Sequence, residues 1–98
     1  MARVRLYREV GERLVVEGDL EFFGIPLGEA DQRSLVDFQV QGGKSFEVET
    51  QGRYCTGQVR LIPEDTATDS EIQQIAKALC NNQQEGKADR YIWKLLLG

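Results

Sequence analysis

The side chains best equipped for chemistry are carboxylates and thiols. Glu64, Asp65, Asp69 and Glu71 crowd into one short stretch. Paired carboxylates divide acid and base work when burial separates their pKa values. The plainer reading is an exposed loop leading into a helix, whose first turn favours Asp69 and Glu71. Their spacing matches no calcium-binding loop. Cys55 falls on an apolar strand face and Cys80 on the apolar face of the helix that should cover the sheet, which leaves open whether the two are close enough to pair. No neighbouring base lowers either thiol's pKa, so the plain reading is two small buried hydrophobes. A redox switch is the sharper alternative. The chain has no histidine, which excludes Ser-His, Cys-His and His-metal arrangements within it. It also lacks a Walker loop, a GxGxxG fingerprint and a CxxC pair, so no cofactor and no metal is expected. An enzyme built on carboxylates or cysteine is the least favoured class.

Two stretches suit binding better. In FFGIPLG, the apolar Phe23, Ile25 and Leu27 alternate with Gly24, Pro26 and Gly28. The segment opens the longest irregular stretch, running to about Arg33, and long loops in compact domains are often binding elements. Either these side chains dock a partner protein, or Ile25 and Leu27 fold back to plug one end of a sheet. A second candidate is the outward row Arg3, Arg5, Tyr7 and Arg13, which could stack on and neutralise single-stranded nucleic acid. A net charge of −4 opposes long-range attraction to phosphate. Pairing with Glu9, Glu12 and Glu17 makes the same row a plain solvated face.

The elements that position these residues follow from periodicity. Leu14, Val16, Gly18, Leu20 and Phe22 share one parity, and Arg13, Glu17, Asp19 and Glu21 take the other. A period of two predicts a long strand with one buried face. Val4 and Leu6 continue it in a first strand. A three-residue loop, Glu9-Val10-Gly11, would set Leu6 opposite Leu14 and Val4 opposite Val16. A two-residue loop would set Leu6 against charge. In SLVDFQVQGGKSFEVETQ, a loop at Gln41-Gly42-Gly43 pairs Phe38 with Phe46 and Val36 with Val48. A turn at Gln51-Gly52 then sets Cys55 opposite Val48 and Gly57 opposite Phe46. Pro63 ends that strand. Thr68 and Glu71 form a capping box, and Ile72, Ile75, Ala76, Leu79 and Cys80 line one helical stripe. In RYIWKLLLG the aromatic and β-branched residues favour a strand with Tyr91, Trp93, Leu95 and Leu97 turned one way. Burying them would contribute on the order of 1.5–3 kcal/mol each before entropy, which favours core closure over a docked partner.

These readings give one α+β domain over residues 1–98. It should hold an antiparallel meander of about five strands, one helix packed on the sheet and a C-terminal strand. No apolar run approaches the roughly 20 residues that cross a bilayer, so no membrane partner is expected. The opening MARVRLYREV lacks a signal peptide's continuous apolar core. With two cysteines this is no disulfide scaffold, and a cytoplasmic setting is the default. The expected role is a non-catalytic accessory, assembly or regulatory module that docks a protein through Phe23, Ile25 and Leu27. Nucleic-acid binding through Arg3, Arg5, Tyr7 and Arg13 is the alternative. Homodimerisation stays open, because an open antiparallel sheet has edges to hide.

Overall fold

The computed structural model describes residues 1–25 and 40–96. Among these, the chain forms β1 (Ala2–Val10), β2 (Arg13–Phe23), β3 (Lys44–Thr50) and β4 (Arg53–Ile62). The helix α1 (Asp69–Cys80) follows, then β5 (Glu85–Ala88) and β6 (Tyr91–Leu96). The six strands make one antiparallel sheet in the order β3-β4-β2-β1-β6-β5. The α+β class therefore stands, with six strands in a curled sheet. The order is not a simple meander. β2 pairs with β4, and the terminal strand β6 returns to lie beside β1. The short β5 forms one edge, a hairpin partner of β6 that carries too little alternation to be read from sequence. The expected strand through Val36 and Phe38 lies outside the described residues.

The second hairpin follows the residue pattern closely. Gln51 (φ 49°) and Gly52 (φ 75°) both adopt positive φ, the backbone of a two-residue turn that matches strand twist. Phe46 then faces Gly57, and Val48 faces Cys55, as the alternation requires. The helix begins at the expected box. Thr68 Oγ1 accepts from the Glu71 amide, and Glu71 Oε1 accepts from the Thr68 amide. Its stripe of Ile72, Ile75, Ala76, Leu79 and Cys80 is buried, chiefly against β3. Beneath it lie Val4, Leu6, Leu20, Phe22, Phe46, Val59 and Trp93, with the Phe22 and Phe46 rings edge-to-face at 5.6 Å. Trp93 is 1% exposed and Tyr91 is also buried, so the C-terminal run closes the core; Leu97 lies outside the described residues.

Two expectations need correction. Cys55 and Cys80 are not independent thiols: they form a disulfide, with Cα atoms 6.3 Å apart, that ties β4 to the last residue of α1. Each lies on the apolar face of its own element, and packing helix on sheet brings the faces together. The first hairpin has a different register from the expected one. Its turn is the two-residue Gly11-Glu12, with Val10 opposite Arg13 and Gly11 at φ 65°. Alone, that turn would set Leu6 against Glu17. A β-bulge between the Leu6 and Tyr7 pairings takes up the extra residue. Leu6 therefore faces Gly18, Val4 faces Leu20 and Ala2 faces Phe22. The inward row survives near the core, while Leu14 and Val16 pass to the opposite side of the bulge and into solvent.

Candidate functional site

Beyond the bulge the first hairpin becomes an arm. β4 accompanies β2 only over Asp19–Phe23, and β6 accompanies β1 only over Arg3–Tyr7. Residues Arg8–Val10 and Arg13–Gly18 thus have no flanking strand among the described residues. The arm carries Val10 (51% exposed), Leu14 (46%), Val15 (41%) and Val16 (54%). Register places Tyr7 with Val16 and Glu9 with Leu14 on one side, and Arg8 with Val15 and Val10 with Arg13 on the other. Glu17 shares the Arg8 side, bonded to its guanidinium at 2.7 Å. Single exposed apolar residues are ordinary; here two stand on each side of one projecting element.

The sequence had one signal for this surface. Leu14-Val15-Val16 is three apolar residues in a row, which an alternating strand cannot bury on a single face. The long parity match from Leu14 to Phe22 hid it.

The loop candidates sit differently. Phe23 ends β2 half-buried, whereas Ile25 is 4% exposed and belongs to the core. The Ile25 side chain therefore fills the interior. Leu27 lies outside the described residues.

The basic row is brought together only in part. Arg5 Nε lies 3.0 Å and Arg3 Nε 3.1 Å from the Asp19 carboxylate. The hydrogen bond from Arg5 holds the Asp19 carboxyl below its ordinary pKa, against a partial burial that raises it. Arg60 Nε donates to the buried Glu21 at 2.7 Å, and the Lys94 ammonium sits over the Tyr7 ring. Arg13 stands at the tip opposite Val10, seven positions along the hairpin from Arg3 and roughly 20 Å away at strand rise. Cross-strand carboxylates thus hold Arg3 and Arg5, and the aromatic ring is covered by a cation. Glu21 faces Arg3 across the hairpin.

The acidic cluster is dispersed. Asp69 is exposed near Lys44, and Glu64 and Asp65 are exposed in the loop after β4. Glu71 alone is buried, at 1% exposure. Burial pushes its carboxyl up. Hydrogen bonds from the Arg90 guanidinium and from the Thr68 and Arg90 amides outweigh that and bring it down to about 2. Such a group stays ionised at neutral pH and exchanges no proton there, the reverse of what a general acid needs. Tyr91 completes the cluster by donating its hydroxyl to the Thr66 carbonyl.

No group of three metal-ligating side chains occurs among the described residues. No described helix is long and apolar enough to cross a membrane. Comparison with protein families, characterised proteins and solved structures finds no match to this chain, so geometry alone carries the functional reading.

Proposed function

We propose that this domain is a non-catalytic protein-binding module that docks through the β1–β2 arm. The observation that carries this reading is the exposure of Val10, Leu14, Val15 and Val16 on one hairpin that runs past its neighbouring strands. Extended edges offer backbone donors and acceptors, and alternate side chains offer specificity, which is how strands recruit other strands. The arm replaces the Phe23–Leu27 loop as the docking element, because Ile25 is committed to the core. An accessory or assembly role fits a domain whose buried carboxylates Asp19, Glu21 and Glu71 are each tied up in an ion pair with an arginine.

The test is the double variant Leu14→Asp and Val16→Asp. Both positions are about half exposed, so the unfolding free energy should hold within the scatter of surface substitutions, about 0.5 kcal/mol per site. Partner capture by the immobilised domain should be lost, and wild-type capture should survive high salt, since apolar docking is not screened. Undiminished capture by the folded double variant would sink the reading.

A further inference from the structure

The arm's outer strand has a chemical symmetry that names its occupant. Read along β2, Arg13-Leu14-Val15-Val16-Glu17 runs cation, three apolar residues, anion. Set antiparallel against a second copy with Val15 on the two-fold axis, every position meets its complement. Arg13 faces the second copy's Glu17, Leu14 faces its Val16, and Val15 faces Val15. Sliding the register two residues either way sets Arg13 against Val15 or Val15 against Glu17, losing both ionic pairs. We propose that the partner of the arm is a second copy of this chain, joined by isologous antiparallel pairing of β2 over Arg13–Glu17. This rests on the arm being the docking surface, and goes further by naming what docks.

Three features fit this pairing. Residues Arg13–Gly18 of β2 have no strand on their outer edge among the described residues, whereas Asp19 onward is covered by β4. A second copy's turn at Gly11-Glu12 would therefore meet the Ile62 end of β4, which limits pairing to five residues. Arg13, Val15 and Glu17 share one side, established by the Arg8–Glu17 bond and the Arg8–Val15 pairing. The ionic pairs then fall on that side, and Leu14 and Val16 of both copies cluster on the other. Finally, Glu17 lines a hollow with Glu64, Asp65 and Arg90, so the incoming Arg13 meets three carboxylates beside one cation that Glu71 already holds, and it shares Glu17 with Arg8. A contact this small belongs to the low end of interface sizes, so the dimer should be weak, with Kd on the order of micromolar or above.

Sedimentation of the whole chain from roughly micromolar to millimolar concentration is the test. Wild type should shift from monomer to dimer. Arg13→Glu and Glu17→Arg should each weaken self-association at least about tenfold, because like charges then face each other twice. An equimolar mixture of the two variants should dimerise again, since both facing pairs become Glu–Arg. Should Glu17→Arg fold poorly after losing Arg8, Val15→Lys puts two cations on the axis and must abolish the dimer by itself. A wild type that stays monomeric throughout, or variants that dimerise undiminished, would overturn the proposal. So would a folded mixture that fails to recover. A photo-crosslinker at Leu14 separates the two readings. A crosslink to a different protein rejects self-pairing and leaves the docking arm standing, and no crosslink to any protein rejects both.

Discussion

At Glu71 a carboxylate hidden from solvent keeps its charge because each oxygen has donors waiting. Oε1 takes the Thr68 amide and an Arg90 nitrogen, and Oε2 takes the Arg90 amide and Nε. The capping half of this arrangement is legible in TDSE, where Thr68 and Glu71 have the required spacing. The Arg90 half is not, because a sequence separation of 19 leaves no periodic trace. The folded carboxyl titrates at about 2 against an ordinary 4.5. A depressed folded pKa contributes stability that is whole above 4.5 and is lost as pH falls from 4.5 toward 2. Part of the Arg90 side chain is in solvent, so screening reduces the effect to on the order of 2 kcal/mol. Urea midpoints should stay flat from neutrality to about pH 5 and then fall. Glu71→Gln should flatten that acid limb, and an unchanged limb would show that the charge is not what the fold depends on. Asp19, whose carboxyl is also held down by Arg5, leaves a smaller residual slope.

The two described hairpins on β1–β4 differ in how openly their residues state the register. Between β3 and β4 a two-residue turn and an unbroken alternation agree, and Phe46 comes to lie over Gly57. A Cβ at Gly57 would fall inside van der Waals contact of the Phe23 carbonyl oxygen and against the Phe46 ring. Backbone cannot yield as a side-chain tip does, so Gly57→Ala should destabilise by at least about 2 kcal/mol. Equilibrium denaturation checks this, and a neutral Gly57→Ala would mean that β2 and β4 are further apart than described. Between β1 and β2 the turn and the alternation disagree, and a bulge reconciles them. Choosing one loop length for the whole hairpin forces Leu14 and Val16 inward, which is why the arm was illegible. With the bulge, Leu6 faces Gly18, and Val4 and Ala2 face the core residues Leu20 and Phe22, where an unbroken register from the same turn would set all three against acidic residues.

Among the described residues, the core is closed by α1 over the sheet, by β6 beside β1, and by the Cys55–Cys80 bond between β4 and α1. The bond closes a loop with a sequence separation of 25, and the chain-entropy argument gives it about 3.5 kcal/mol of stability. Denaturation with and without reductant, or with Cys55→Ser and Cys80→Ser together, should show a loss of that size. Identical midpoints would mean that the thiols are not joined in solution. Disulfides are rare in reducing compartments, so this bond is a point against the cytoplasmic expectation drawn from a low cysteine count.

What the sequence determined by itself is local: the capping box, the buried helical stripe, the β3–β4 register and the inward Tyr91–Trp93 face all arise from neighbours within a turn or a hairpin. Tertiary structure alone decided which strands adjoin, that Arg90 meets Glu71, that the two sulfurs bond, and that Leu14 through Val16 stand outside. The reason is physical. Periodicity records which face of an element is apolar, but pairing between distant segments depends on how those faces share one limited core. A single extra residue at a bulge changes which side chains that core can hold.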